Sequence, residues 1–495
     1  MAHNNTRVEF LDNIQVSPPP GSVPTTSLPL TPFDLQWCFA PGTVVVVERL
    51  FFYEFPHPTT YFMETTVPTL KRSLSHALQY FFPCAANIMC PHPPGKPYIL
   101  YKDGDDFVTF TVAESAADFN HVVANYPRDV KLLHPFVPQL PPSRVAEDGT
   151  RVFPILAIQV TVFPNSGVCI GTTYNHVAGD GKSFMHFMRC WASLNKSDLT
   201  CLEHPPPLIN KDVIKVSKEL ELDSLRVYSD WISCFNQNLG TSHGKDKVRG
   251  PEEQHSTPHS PRMDSENNLI ELESEDKVRA TFVLGQAHVE RLKQLVRAQD
   301  VESGAQLHIS TFVVVCAFIW VCLIKSKESA SSHDDDDLDK FYSFLFAFDG
   351  RNMLEIPVTY FGNCIRPCVA DVTKSEIIRG ENGIVVAAAK AIGNKIKEAG
   401  SSGLQGAEHW ISDITERGEP GRITAVAGSP KLKVYEIDFR WGKPCKVELT
   451  HIDRDGAMAL AECRDEQRGI EVALALNKNH MNEFISVFEQ NLKLL

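Results

Sequence analysis

The sequence predicts an α/β protein with two domains of similar size, each combining a mixed sheet with helices. The chain has 495 residues, more than one domain usually contains, and 43% of them are hydrophobic. Strand-like and helix-like segments are interspersed in both halves, as in α/β proteins. Between the halves, residues 241–268 contain only Val248 and Met263 as apolar side chains, too few to offset the entropy of ordering.

These observations predict three parts along the chain. An N-terminal domain occupies residues 1–205 and a C-terminal domain residues 269–495. A crossover, partly disordered, joins them over residues 206–268.

The first half begins with short strands and one long helix. An apolar run over 44–55 predicts a strand, and the helical spacing of 61–81 predicts a helix. Apolar segments at 98–103 and 107–115 predict two further strands.

A hairpin and a helix are predicted at the end of the first half. Residues 155–163 and 167–175 are apolar and rich in β-branched side chains, and the residues between them favour a tight turn. Residues 181–194 then place large apolar side chains on one helical face. His176 therefore lies between the exit of a strand and the start of a helix.

The second half continues the mixed pattern. Residues 309–324 predict a buried helix, 383–398 a second helix and 478–494 a closing amphipathic helix. The acidic segment 328–340 predicts a solvated loop. The predicted strands are 341–348, 433–439, 445–452, 457–463 and 470–476.

Composition limits the partners we expect. The net charge is −13 without a basic cluster, which disfavours nucleic acid. The most apolar stretch, 311–324, is too short to span a bilayer, and the first residues lack a signal-peptide pattern. The thirteen cysteines form no CxxC pair, so we expect reduced thiols and no metal site in a cytoplasmic protein.

A histidine four residues before an aspartate is a weak signal here, because the pair recurs. The four pairs are His176/Asp180, His333/Asp337, His409/Asp413 and His451/Asp455. The second lies in the acidic segment and the third has the spacing of a polar pair on a helix. The fourth occupies a turn that predicts a hairpin between 445–452 and 457–463.

His176 differs from the others in its surroundings. Gly179 and Gly181 flank Asp180, which stands in the N-cap position of the next helix. A capped turn with a buried histidine fits these residues as well as a catalytic base does. If His176 is a base, the absence of GxSxG, GxGxxG and P-loop motifs favours direct attack of a substrate hydroxyl or amine on an activated acyl group.

Three motifs resemble one known family. HVAGDG (176–181), YFGNC (360–364) and DFRWGKP (438–444), with the approach to the last at 427–437, resemble the plant BAHD acyltransferases in order and spacing. The branch that acylates anthocyanins and other phenolic glycosides is the most similar, and the resemblance covers essentially the whole chain. It implies a chloramphenicol acetyltransferase-like fold with an active-site channel between two α/β domains, acyl-CoA as co-substrate, no further cofactor and a monomer.

The resemblance also implies roles for individual residues. His176 would be the general base, and Asp180 would form a structural ion pair with Arg351. Structural support is expected from three residues of the DFRWG motif: Asp438, Trp441 and Gly442. Arg440 stands where the family has glycine, which predicts a strained loop if that position has a positive φ; otherwise Arg440 could lie near the CoA phosphates.

Three further residues fall in family-like stretches as substrate or channel candidates. They are Thr311, Asn363 and Ser429. A threonine inside a helix and a turn serine explain Thr311 and Ser429 equally well.

The acyl donor and the acceptor stay open at this point. Lys182 would suit the carboxylate of malonyl-CoA, whereas Phe184 favours the aromatic ring of hydroxycinnamoyl-CoA. The expected acceptor is a sugar hydroxyl of a flavonoid, anthocyanin or simpler phenolic glucoside. Alternatives are an amine or terpenoid alcohol acceptor, a thioester hydrolase, and a non-catalytic relative that binds acyl-CoA or a phenolic ligand.

Overall fold

The computed structural model describes most of the chain. Its described residues are 8–37, 45–197, 199, 202–241, 276–300, 308–330, 338–378, 384–404, 407, 410, 422–455 and 457–495. Residues 242–268 of the predicted linker, His333 and Asp337 of the acidic segment, and His409 and Asp413 lie outside these ranges.

Strands and helices occur in both halves of the chain. The described strands are β1 (Val8–Val16), β2 (Thr26–Pro29), β3 (Val46–Glu54), β4 (Asn87–Cys90), β5 (Tyr98–Tyr101), β6 (Val108–Ser115), β7 (Arg128–Asp129), β8 (Arg144–Val145), β9 (Arg151–Pro154), β10 (Leu156–Phe163), β11 (Gly167–Asn175), β12 (Lys277–Leu284), β13 (Phe341–Asp349), β14 (Ile365–Thr373), β15 (Ile423–Gly428), β16 (Lys446–Leu449), β17 (Met458–Glu462) and β18 (Ile470–Asn477). The described helices are α1 (Pro32–Leu35), α2 (Thr59–Tyr61), α3 (Val67–Tyr80), α4 (Phe119–Val122), α5 (Gly181–Lys196), α6 (Lys218–Thr241), α7 (Gln286–Asp300), α8 (Thr311–Ala330), α9 (Lys374–Ile378), α10 (Ile384–Ser401), α11 (Ile452–Asp455) and α12 (Lys478–Lys493).

Two large mixed sheets organise the molecule. The first has the order β1-β6-β10-β11-β3-β16 and the second β14-β13-β15-β17-β18-β12-β7. Each sheet includes a strand from the other half of the chain, since β16 pairs with β3 and β7 pairs with β12. A smaller sheet has the order β2-β5-β4-β9-β8. The predicted α/β class with two mixed sheets is confirmed.

The predicted hairpin and the helix after it are also confirmed. β10 and β11 pair antiparallel from Phe163 opposite Gly167 to Leu156 opposite Tyr174. Every residue of both strands is buried, because β6 and β3 flank the hairpin in the sheet and helices cover one face. α5 then packs its large apolar residues into the core of the first sheet. This arrangement places the β11–α5 junction at one end of that sheet.

The predicted buried helix is confirmed as α8, which is longer than expected. Its residues from Val313 to Ile324 are all buried, in a second core shared with α7, α10 and α12. The helix continues to Ala330 and so includes the first residues of the predicted acidic loop. Among the described helices, none has the length and apolar character needed to cross a membrane.

Two predictions for the last quarter of the chain are wrong. The expected strand at 433–439 contains the 3₁₀ turn Val434–Glu436, because Lys433 adopts a positive φ of 54°, which an extended strand cannot accommodate. The expected hairpin after 445–452 does not form either. β16 joins the first sheet and β17 the second, with α11 between them, because β16 pairs with the distant β3 whereas β17 pairs with β18, the next strand along the chain.

Candidate active site

The turn after β11 fixes the backbone of His176. β11 ends at Asn175, whose Oδ1 accepts a hydrogen bond from the backbone N–H of Val177 at 3.1 Å and caps the 3₁₀ turn His176–Ala178. The backbone N–H of His176 donates to the carbonyl of Val45 at 2.8 Å. The backbone of the turn that carries His176 is therefore held at the end of the first sheet by hydrogen bonds from two successive N–H groups.

The imidazole of His176 is enclosed and stacked. Its ring lies 3.6 Å from the indole ring of Trp37, centroid to centroid, at an angle of 18°, and the residue is 9% exposed. Nδ1 is buried without a hydrogen-bond partner. Burial lowers the pKa of His176 to about 4, although the nearby Asp180 and Asn363 favour the charged form. The ring is thus neutral at pH 7 and able to accept a proton.

Asp180 is fully engaged by groups other than His176. Its two carboxylate oxygens accept hydrogen bonds from Nη1 and Nη2 of Arg351 at 2.8 and 3.0 Å, and both residues are 1% exposed. The backbone N–H groups of Ser183 and Cys364 donate to the same carboxylate, each at 3.1 Å. Asp180 is therefore the N-cap of α5 and one half of a buried ion pair that joins the two halves of the chain.

A second buried network lies beneath the turn of His176. The side-chain N–H₂ of Asn363 donates to the carbonyl of His176 at 2.8 Å and to Oδ1 of Asp34 at 3.0 Å. Oδ2 of Asp34 in turn pairs with Nζ of Lys211 at 3.1 Å. Asn363 is fully buried, so the structure places it behind the turn as a support of the backbone.

No sequence pattern predicts Asp34, Trp37 and Lys211 as residues of the site. The pattern Thr31-x-x-Asp34 is a capping-box signal, and both of its hydrogen bonds form at α1. That signal predicts the start of a helix but not the contact of Asp34 with Asn363, 329 positions later. Their positions beside His176 depend on chain pairing that no local pattern encodes.

The remaining candidates have different surroundings. Phe184 is buried and its ring stacks on Tyr174 at 4.1 Å, beside a narrow apolar cavity that both residues line. Lys182 instead pairs with Asp349 at 2.5 Å and its side chain is 38% exposed. Thr311 occupies the first turn of α8, and the Ser429 hydroxyl accepts the N–H of Lys431 at 3.3 Å in a turn.

Comparisons with known proteins agree along the whole chain. A model of the transferase family matches residues 7–491. A coumaroyl-CoA:anthocyanidin 3-O-glucoside-6''-O-coumaroyltransferase of Arabidopsis thaliana is 38% identical, over 98% of this chain and 97% of the relative. The chain belongs to this family, the BAHD acyltransferases.

A second relative and a solved structure are also similar to this acyltransferase. A malonyl-coenzyme A:anthocyanin 3-O-glucoside-6''-O-malonyltransferase of Dahlia pinnata is 32% identical, over 99% of this chain and 98% of the relative. The crystal structure of vinorine synthase superposes with a TM-score of 0.62 at 18% identity, covering 97% of this chain and 98% of the other. The superposition shows that the fold is shared.

The DFRWG motif of this acyltransferase is a structural anchor in the described contacts. Oδ1 of Asp438 accepts the backbone N–H groups of Arg440 and Gly442, each at 2.9 Å, and Oδ2 pairs with Lys196 of α5 at 3.0 Å. Trp441 packs edge-on against Tyr53 of β3, with ring centroids 5.3 Å apart. The loop thus joins the second half of the acyltransferase to α5 and β3.

Arg440 adopts a backbone conformation that suits glycine. Its φ is 79°, so the condition under which we expected strain is met. We expect Arg440→Gly to raise the free energy of unfolding by about 0.5–1 kcal/mol, because relief of strain exceeds the entropy that glycine adds to the unfolded chain. Denaturant unfolding followed by circular dichroism measures the change.

Gly442 provides the matched control for this substitution. Its φ is 82° and no atom lies within 4 Å of the position a Cβ would take, so alanine there introduces backbone strain without a clash. Gly442→Ala should lower the free energy of unfolding by about 1 kcal/mol. A destabilised Arg440→Gly would show that contacts of the arginine side chain outweigh the strain.

Proposed function

We propose that this acyltransferase moves a malonyl or hydroxycinnamoyl group from CoA to a sugar hydroxyl of a flavonoid, anthocyanin or other phenolic glucoside. The relatives at 38% and 32% identity, aligned over almost their whole length, support this class of donor and acceptor. Acyl-CoA is the only co-substrate that the reaction requires, since the thioester already carries an activated acyl group.

His176 is the proposed general base. The observation that carries this assignment is a neutral, enclosed imidazole next to an aspartate whose oxygens are all committed to Arg351, Ser183 and Cys364. Since Nδ1 is enclosed by protein, we assign proton transfer to Nε2. Asp180 is assigned a positioning role, because its pairing holds the turn and α5 in place.

The reaction follows from this arrangement. As the acceptor oxygen attacks the thioester carbonyl carbon, Nε2 of His176 takes the hydroxyl proton, and a tetrahedral oxyanion forms. The C–S bond then breaks, and the imidazolium returns the proton to the departing sulfur. The products are the acylated sugar and CoA with a free thiol, and His176 is neutral again.

We further propose that the enzyme acts as a monomer in the cytoplasm. The ten cysteines whose side chains the structure describes are free thiols, and eight of them are buried, which suits a reducing compartment. Gel filtration of the purified protein and the fluorescence of a tagged copy in plant cells test the two statements.

Release of free thiol from acyl-CoA tests the proposed function. Malonyl-CoA and p-coumaroyl-CoA are each incubated with the enzyme, with and without a flavonoid 3-glucoside. We expect release that depends on the acceptor, with the acylated glucoside as product. Release without acceptor would indicate a hydrolase, and release only with an amine or a terpenoid alcohol would reassign the acceptor. Binding of acyl-CoA without any release would indicate a non-catalytic relative.

A further inference from the structure

Lys211 brings a buried positive charge from the crossover to the turn of His176. It lies in segment 206–214, the first part of the predicted crossover between the two domains, and it is 4% exposed. Its Nζ pairs with Oδ2 of Asp34 at 3.1 Å, and Asp34 has no exposed surface. Among the described residues, no other cation forms an ion pair with Asp34. The buried carboxylate therefore depends on Lys211 for its counter-charge.

The segment that carries Lys211 is held against the YFGNC motif. Leu208 forms a parallel bridge beside Tyr360, closed by two backbone hydrogen bonds of 2.9 Å each. The ring of Tyr360 has its centroid 5.6 Å from Nζ of Lys211. A Cβ at Gly362 would lie 2.6 Å from the same Nζ. A larger residue at 362 would therefore have to displace the ammonium group from its place beside Asp34.

The charge of Asp34 sets the orientation of the Asn363 amide. Oδ1 of Asp34 accepts the backbone N–H of Asn363 at 3.1 Å and its side-chain N–H₂ at 3.0 Å. The same N–H₂ group donates to the carbonyls of His176 and Val177 at 2.8 and 3.2 Å. With the amide reversed, its oxygen would face two carbonyl oxygens and a carboxylate, none of which can donate a hydrogen bond. The anionic Asp34 thus keeps the donor side of Asn363 toward the turn.

The turn of His176 relies on Asn363 because its own hydrogen bond is long. Within the turn, the carbonyl of His176 accepts the backbone N–H of Gly179 at 3.3 Å, which is beyond the usual range of such bonds. Asn363 supplies the shorter contact to that carbonyl and a second contact to the next one. These two carbonyls belong to the peptide units that follow the Cα atoms of His176 and Val177, so they fix the direction in which the imidazole leaves the backbone.

We propose that Lys211 is a positioning residue for His176, and that segment 206–214 thereby completes the active site. Lys211 neutralises Asp34, Asp34 orients the amide of Asn363, and this amide holds the turn that carries the base. Because Lys211 acts through two other side chains, its loss changes the rate of the chemical step and leaves substrate binding as it is. This inference rests on the proposed function, since it takes His176 as the general base.

Lys211→Met tests the inference, because methionine nearly keeps the length of the side chain and removes its charge. We expect kcat for transfer from p-coumaroyl-CoA to a flavonoid 3-glucoside to fall roughly 10–100-fold, as for a base displaced by about 1 Å. KM for both substrates should change by less than about twofold, since the lost interaction acts on the chemical step and not on binding. Calorimetric titration of CoA should give the wild-type affinity.

Lys374→Met is the matched control, since Lys374 is also buried and pairs with Glu328 at 2.6 Å, at the start of α9. Its kcat should equal that of the wild type. The inference is overturned if Lys211→Met keeps its kcat, if it raises KM instead, or if Lys374→Met lowers kcat as much. Lys211→Gln keeps a donor toward Asp34 without a charge and should also lower kcat. A wild-type kcat in Lys211→Gln overturns the inference even if Lys211→Met does not fold.

A failure of the proposed function gives a different result. The wild type would then transfer no acyl group from any donor, or His176→Ala would keep full activity. The NMR signal of the His176 imidazole, identified by its absence from His176→Ala, would still report the surroundings of the ring. A signal that shifts in Lys211→Met and not in Lys374→Met supports the role of Lys211. A signal that stays unchanged in both variants, or shifts equally in both, overturns it.

Discussion

Replacement of His176 by alanine is expected to lower kcat/KM for acyl transfer by roughly 10²–10⁴-fold, the usual contribution of a general base. Asp180 cannot replace the imidazole, because its carboxylate is already paired with Arg351 and capped by backbone N–H groups. Initial rates of thiol release with p-coumaroyl-CoA and a flavonoid 3-glucoside measure the loss. Calorimetric titration of CoA should show that the variant still binds it.

His57→Ala is the control for this variant. His57 is exposed, and its ring stacks on Tyr61 at 4.4 Å, away from the turn of His176. Its activity should match the wild type. A loss in His176→Ala of less than about tenfold would contradict the assignment of the base. The pH profile gives a second readout: wild-type kcat/KM should hold down to about pH 5, since the active neutral form disappears only as the pH falls through the pKa of about 4.

Asp180→Asn is expected to reduce the free energy of unfolding by up to about 3–5 kcal/mol, because it leaves the buried charge of Arg351 with only the partly exposed Asp349, at 3.2 Å, as its counter-charge. Asparagine has nearly the same volume, so packing is conserved and the effect is electrostatic. The ion pair joins α5 to the segment before β14, and we therefore expect activity to fall together with stability. Equilibrium unfolding in urea, followed by tryptophan fluorescence, measures the change.

An exposed ion pair provides the comparison. Glu221 pairs with Lys96 at 2.8 Å, and the two side chains are 50% and 65% exposed. Glu221→Gln should change the free energy of unfolding by less than about 1 kcal/mol. If Asp180→Asn and Glu221→Gln lower the free energy of unfolding by similar amounts, the buried ion pair of Asp180 and Arg351 contributes no more to stability than an exposed one.

Local patterns were sufficient where neighbouring residues decide the structure. The hairpin of β10 and β11 follows from two apolar strands and the turn residues between them, and α5 follows from helical spacing after an N-cap. The position of His176 at the strand exit came from the same patterns. The resemblance of three motifs added the family, which the comparisons confirm.

Local patterns failed where the partner of a segment is distant. Residues 433–439 are apolar enough for a strand, but the positive φ of Lys433 and the cap of Ser429 make turns. β16 and β17 are close in sequence yet belong to different sheets, because β3 and β18 are their neighbours. The pairing of β16 with β3 joins residues hundreds of positions apart, so it depends on the whole core and leaves no mark in a short window.

The sequence by itself determined the α/β class, the strand–turn–helix unit that presents His176, and membership of the acyltransferase family. Only the tertiary structure decided what surrounds the imidazole: Trp37 stacked on it, Asn363 with Asp34 and Lys211 beneath its turn, and Arg351 on Asp180. The reason is physical, since spacing along the chain sets the local backbone, whereas burial and charge pairing arise only when distant segments meet in one core.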